Sequence, residues 1–193
     1  MIDPLRISVP TQIETPRLLL RPFRLSDAPA LHEALVESLA ELRSHLWFLS
    51  WVAEEQTLQS AEVRCRRAEA NFLLRNDLPY LAFSKASGRL VASAGLHRTD
   101  WMTPRTEVGY WVRSTETGNG YASECVNALT DWALSELRAV RVELVTDENN
   151  HGSRAVAVRC GFQLEGVHRN TMRGPGGELR HSVVYARLAR GAA

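Results

Sequence analysis

Two glycines separated by one residue, Gly118 and Gly120, stand between a run with strand composition and a long run with helical periodicity. That junction constrains the fold more than any other stretch. The preceding run, Glu107 to Arg113 (EVGYWVR), reads as a strand. The following run, Tyr121 to Arg138, carries Ala122, Cys125, Val126, Leu129, Trp132, Ala133 and Leu137 with polar residues between them, the pattern of a helix that packs one face. The loop Thr117-Gly-Asn-Gly-Tyr-Ala122 lets the chain turn tightly and leaves backbone N–H groups uncovered at a helix N-terminus. Unsatisfied donors and the helix dipole favour an anion there. A diphosphate is the natural guest, and a plain glycine-rich turn is the structural alternative.

The rest of the chain reads around this junction. Ile13 to Phe23 has the composition of an opening strand after a Pro-containing arm. Ser26 is placed to cap a helix with Asp27 and Pro29 in its first turn and an apolar stripe of Leu31, Ala34, Leu35 and Leu39. Leu39 to Glu55 is aromatic and irregular, and a second helix is expected from Thr57 to Leu74. Tyr80 to Lys85 and Leu90 to His97 form strands around an Ala86-Ser87-Gly88 turn. After the glycine loop and its helix, Val140 to Val145 alternates as a strand with Val140, Val142 and Leu144 on one side. A short helix from Ser153 to Cys160 stops at Gly161, and Phe162 to Val167 and Ser182 to Leu188 close the chain around Gly174-Pro175-Gly176-Gly177. Strands in a meander followed by strand, helix, strand and short helix predict an α/β (α+β) fold with a mixed sheet and helices on both faces.

Composition narrows the function. The 193 residues suit one domain over 1–193, with 1–12 an arm and 190–193 a tail. Lys and Arg number 23 against 22 Asp and Glu, so a strongly basic nucleic-acid binder is not the expected class. The densest apolar stretch, Leu46 to Ala53, is interrupted by Ser50 and is far shorter than the ~20 residues of a membrane-spanning helix. Met-Ile-Asp-Pro lacks the basic and apolar regions of a secretory signal, and the three cysteines, Cys65, Cys125 and Cys160, form no CxxC pair. A cytoplasmic protein with reduced thiols is expected. The six histidines (His32, His45, His97, His151, His168 and His181) show no i, i+3 or i, i+4 pairing, so no metal is implied. No GxSxG occurs. No lysine follows either glycine as a P-loop requires, and a Rossmann pattern would put its third glycine at Ser123.

Taken together, Glu107–Arg113, Thr117-Gly-Asn-Gly-Tyr-Ala122, Asp147-Glu-Asn-Asn150, Ser153 and Cys160-Gly-Phe162 resemble the GNAT N-acetyltransferases, and within them the RimJ/RimL-like branch. The similarity runs from Ile13 to Leu188. It implies a mostly antiparallel central sheet in which Glu107–Arg113 and Val140–Thr146 are parallel and splay apart to admit acetyl-CoA. It further implies that Thr117, Gly118, Asn119, Gly120, Tyr121 and Ala122 hold the pyrophosphate, that Val112 pairs with the pantetheine arm, and that Asn150 contacts the pantetheine. Thr117 departs from the usual Gln or Arg. Ser153 would assist the departing thiolate, and the amine would attack the thioester directly, without a covalent enzyme intermediate. Read from the residues alone, Asn150 and Ser153 are equally apt helix caps.

The acceptor side is less determined. Glu107 is the best-placed carboxylate for a general base, although a glutamate at a strand start is commonly solvated. The RimL-like branch can carry a carboxylate on the strand after Gly161-Phe162, and His168 to Arg173 has none. Trp47 and Trp51 read either as core or as acceptor-pocket lining, and His97, near the end of a central strand, as a pocket residue or an exposed histidine. An α-amine, with a pKa of ~7.7–8.0, costs roughly 3.4 kcal/mol less to deprotonate than a lysine at ~10.4. The RimL-like resemblance implies a protein or peptide N-terminus as the acceptor, a choice this proton cost favours over lysine, with a small amine (an antibiotic or aminoacyl metabolite) or a non-catalytic CoA-binding module as alternatives. Either a monomer or a homodimer suits these readings.

Overall fold

The computed structural model describes residues 3–189; the last four residues of the expected tail and the first two of the arm lie outside them. An eight-stranded sheet runs in the order β1 (Ile13–Glu14), β2 (Leu18–Pro22), β3 (Leu78–Ser84), β4 (Leu90–Asp100), β5 (Arg105–Val112), β6 (Arg141–Asp147), β8 (Leu179–Leu188), β7 (Gln163–Arg173). All neighbours are antiparallel except β5 and β6. Helices α1 (Ala28–His45), α2 (Ser50–Ala53) and α3 (Leu58–Leu74) pack on one face, and α4 (Tyr121–Ser135) and α5 (His151–Arg159) on the other. This is the mixed, mostly antiparallel architecture expected from the sequence.

Strand parity explains the two cores. Successive side chains leave opposite faces of a strand. Leu81 and Leu90 join Leu31, Leu35, Ala61 and Cys65 under α1 and α3, whereas Ala82, Ala94, Leu96 and Val108 join Cys125, Val126 and Leu129 under α4. Thr57 caps α3 by accepting from the Ser60 N–H, and the Ser60 side chain accepts in return from the Thr57 N–H. Gly161 ends the α5 segment at φ +76°, with Phe162 buried beside it. The three cysteines are buried and unbridged.

Four expectations need correction. The opening strand is a pair, β1 and β2, because Thr15 turns the chain by bonding Leu18 through both backbone and hydroxyl. Ser26 does not cap α1: a 3-10 turn, Leu25–Asp27, leads in, and the Asp27 carboxylate goes to Arg21 (2.6 and 2.7 Å) and the Arg24 N–H. Most of the segment thought irregular is helical, in the end of α1 and in α2. Val140 precedes β6 and is exposed, so the buried row is Val142, Leu144 and Thr146.

One buried cation fixes the approach to the glycine loop. Arg113, immediately after β5, is 3% exposed and binds Glu33 (2.5 Å) and Glu37 (2.6 Å) on α1. The next residues repeat the attachment, since the Ser114 N–H donates to Ser38 Oγ and Thr115 Oγ1 donates to Glu37. The Arg113 guanidinium, with help from Thr115, lowers the Glu37 carboxyl from 4.5 to about 2. A carboxyl depressed on folding stabilises the fold above its unfolded value and loses that contribution as pH falls through its folded value. Between pH 4.5 and about 2, wild-type stability should therefore fall more steeply than that of Glu37→Gln, as read by urea unfolding at several pH values. Parallel curves would remove Glu37 from this role.

Candidate active site

The parallel pairing of β5 and β6 lasts only from Arg105↔Arg141 to Glu107↔Glu143. Beyond it the strands part, and Val108–Val112 and Leu144–Asp147 line a cleft of about 1540 Å³ that reaches both faces of the sheet. On this side of β5 the backbone groups past Glu107 have no strand partner. Val112 remains paired to Ala92 of β4 on its other side.

At one end of the cleft lies the glycine loop. Gly118 (φ +81°) and Gly120 (φ +80°) hold left-handed conformations that glycine adopts without steric cost. Gly120 is the N-cap of α4 and brings no capping side chain. No backbone or side-chain acceptor among the described residues engages the N–H groups from Gly118 to Ser123. The side chains of the loop are committed elsewhere: Thr117 Oγ1 donates to the Ser114 carbonyl (2.9 Å), and the Asn119 amide donates to Glu116. The loop is braced by Arg17, which donates to the Asn119 carbonyl (2.8 Å) and lies 4.8 Å from the Tyr121 ring centroid. Arg17 is itself held by Glu124 of α4 at 2.6 Å.

In mid-cleft, three residues interlock. Asn150 Oδ1 accepts from the Ser153 N–H at 3.0 Å, so Asn150 is the N-cap of α5 and only its amide nitrogen remains free for another partner. Tyr110 Oη donates to Ser153 Oγ at 3.0 Å. Burial pushes the Tyr110 phenol up to about 12, which keeps it protonated as that donor. With its oxygen accepting from Tyr110, the Ser153 hydroxyl keeps its own proton for a group in the cleft. The sequence reading passed over Tyr110. Its position one residue from Gly109 puts it on the face opposite Glu107, toward α5, and that parity was the available signal.

The other face of β4 and β5 forms a separate wall. Glu107 lines it, but both its oxygens engage the Arg98 guanidinium, one at 2.9 Å. His97, opposite Glu107 in register, lies with Nδ1 3.2 Å from Asp77 Oδ1. Its ring covers Gly95 and Gly109, which pair with each other: a Cβ at Gly95 would sit 3.0 Å from Nε2, and one at Gly109 3.1 Å from Cδ2. Trp51 lines the same wall with the Arg64 guanidinium 3.5 Å from its ring centroid. Burial lowers Arg64 to about 10, and no carboxylate among the described residues is within ion-pair distance of it. Trp47 is placed differently: its indole N–H donates to the Arg173 carbonyl (2.7 Å) at the end of β7, outside the cleft lining, while Phe48 lines the cleft. Among the described residues no group of three metal-ligating side chains occurs, and no helix is long and apolar enough to cross a membrane.

Comparison with known proteins agrees with this geometry. The sequence model described as an acetyltransferase (GNAT) domain matches residues 17–163. YdaF of Bacillus subtilis (strain 168), provisionally named a ribosomal N-acetyltransferase, is 27% identical over 176 residues, 90% of this chain and 91% of that protein. RimL, a ribosomal alpha-N-protein acetyltransferase solved in complex with coenzyme A, superposes with a TM-score of 0.84 at 22% identity, covering 92% of this chain and 98% of that one. The microcin C7 self-immunity acetyltransferase MccE, solved with acetyl-CoA and AMP, gives 0.83 at 19% identity, covering 93% and 97%. At these identities the two solved structures speak to the fold.

The Asn150 cap yields a direct test. Asn150→Ala should lower unfolding free energy by about 1 kcal/mol, the usual cost of losing a side-chain N-cap. Thermal and urea unfolding showing no change would mean the cap contributes nothing to α5.

Proposed function

The chain belongs to the GNAT acetyltransferase family, and on that premise we propose that it transfers the acetyl group of acetyl-CoA to the α-amine of a protein or peptide N-terminus. The observation that carries the donor side is the run of unengaged N–H groups from Gly118 to Ser123 at the mouth of a split sheet. In this reading Gly118, Asn119, Gly120, Tyr121 and Ala122 cradle the pyrophosphate through their backbones. The Thr117 departure then matters little, since its hydroxyl is spent within the turn and the cradle is made of backbone donors. The free edge of β5 around Val112 pairs with the amides of the pantetheine arm, and the Asn150 amide nitrogen donates to it.

The chemistry follows from the interlocked trio. The amine lone pair attacks the thioester carbon, a C–N bond forms, and a backbone N–H of β5 holds the oxyanion. The C–S bond then breaks, the thiolate accepts a hydrogen bond from Ser153, whose hydroxyl Tyr110 polarises, and the proton shed by the attacking nitrogen ends on the sulfur. Direct attack suits the cysteines: none lines the cleft, and burial raises the thiols, to about 11 for Cys65 and about 12 for Cys125.

The preference for an α-amine rests on proton cost. Carboxylates on the acceptor wall are already engaged, Glu107 by Arg98 and Asp77 by His97. An acceptor needing little deprotonation suits such a wall. The names of YdaF and RimL point the same way. A second reading, a small anionic amine, draws on the unpaired Arg64 over Trp51 and on the ligands of MccE.

Release of CoA with a panel of amines at pH 7 tests the proposal. Peptides with a free Ser or Ala N-terminus should outrun the same peptides blocked at the N-terminus and carrying an internal lysine. Preference for the blocked lysine peptides would overturn the acceptor assignment. Independently, Ser153→Ala should lower kcat roughly 10-fold to 10³-fold with acetyl-CoA affinity little changed. A wild-type kcat in that variant would end the role of Ser153 in thiolate departure.

A further inference from the structure

We infer that His97, oriented by Asp77, is the group that accepts the proton of the acceptor amine. The inference rests on the amine-acetylating reading of the cleft and supplies the proton acceptor that this reading lacks. Of the carboxylates that line the cleft, Glu107, Asp147 and Asp77 lie on or next to the strands of the sheet, and the first two are held by arginines. Both oxygens of Glu107 hold Arg98, and an incoming ammonium would have to compete with that guanidinium. Asp147 is 2% exposed: its Oδ1 accepts from Arg180 and the Asn149 N–H, and its Oδ2, which has no hydrogen-bond partner among the described residues, is buried away from an incoming amine. The third, Asp77, is 32% exposed and faces His97 Nδ1 at 3.2 Å.

That contact fixes the chemistry of the ring. A carboxylate 3.2 Å from Nδ1 favours the tautomer with the proton on that nitrogen, which leaves Nε2 as the acceptor. Nε2 has no hydrogen-bond partner among the described residues, and the side chain is 34% exposed to the cleft. The ring's position is built into the sheet. Gly95 and Gly109 face each other across β4 and β5 and present no side chain, so the imidazole can lie over the strand pair directly beside the opening between β5 and β6. On this face Glu107 and Arg98 flank the ring, and Arg64 and Arg67 of α3 line the same cleft. Among the described residues Asp77 is the charged group within ion-pair distance of the imidazole.

The step balances as follows. The acceptor enters as an ammonium; one N–H proton passes to His97 Nε2 and then to solvent. The amine nitrogen forms the C–N bond, the oxyanion collapses, and the C–S bond breaks. A second N–H proton ends on the CoA sulfur, so acetyl-CoA and ammonium give amide, CoA thiol and one released proton. His97 is then a catalytic residue and Asp77 a positioning residue.

The test uses the amine from the panel that the wild type acetylates fastest, so a lysine preference would sink the acceptor assignment and still test this one. His97→Ala should lower kcat/KM about 10²-fold at pH 7, within the usual range for a general base. The deficit should shrink toward pH 9, where more of the amine is deprotonated unaided, and acetyl-CoA affinity by calorimetry should not move. Asp77→Asn should show a smaller deficit with the same pH trend, and Asp77→Glu should recover part of it. Should alanine unsettle the strand pair, His97→Gln carries the same expectation. A loss under tenfold at pH 7, or one that stays constant from pH 7 to pH 9, would overturn the inference.

Discussion

A sheet ladder that stops after three residue pairs is the constraint on which everything else here depends. Parallel strands normally continue to exchange hydrogen bonds along their length, and leaving backbone groups unpaired in a protein interior is costly. β5 and β6 tolerate the break because each is held firmly on its outer side, β5 by β4 and β6 by β8. Each half of the sheet is a continuous ladder up to the split, and the opening lies between the two. It brings the α4–α5 face and the α1–α3 face into one cavity, which no continuous sheet would do.

The glycine loop needs a comparable anchorage. Its useful groups are backbone donors, so its shape must be set by neighbours. Arg113 secures the incoming side to α1, and Arg17 with Glu124 secures the outgoing side to β2 and α4. Burial by itself would raise the Glu124 carboxyl, but bonds from Thr15 and Arg17 more than offset it and hold it low. Charged groups here set the shape of a loop whose unengaged N–H groups belong to the main chain.

Much of this was legible in the sequence. Element order, the helical stripe from Tyr121, Gly161 as a helix stop and the glycine loop all rest on local rules of spacing and conformation. Family likeness groups Ser153 with the loop residues, and Glu107 stands out as a carboxylate on the strand facing the cleft; all of them line it. What stayed hidden needed distant partners. Tyr110 bonds a residue 43 positions away and Arg113 one 76 away. Nothing local ties His97 to Asp77, because their meeting depends on the register of β3 against β4. Trp47 failed as a cleft residue for the same reason: its partner is the β7–β8 hairpin, 126 positions downstream.

The paired glycines under His97 carry a consequence for how this protein tolerates change. Gly95 and Gly109 have no functional group, yet a methyl at either position must displace an imidazole, and at Gly95 also meets the backbone of Leu78 and Pro79 at 3.0 Å. The positions in β4 and β5 least open to drift are therefore ones with no chemistry of their own. Among relatives, the size of the residues at these two positions should vary together with whether an aromatic ring occupies the place of His97. Larger residues at these floor positions therefore ask the ring above them to shift in concert.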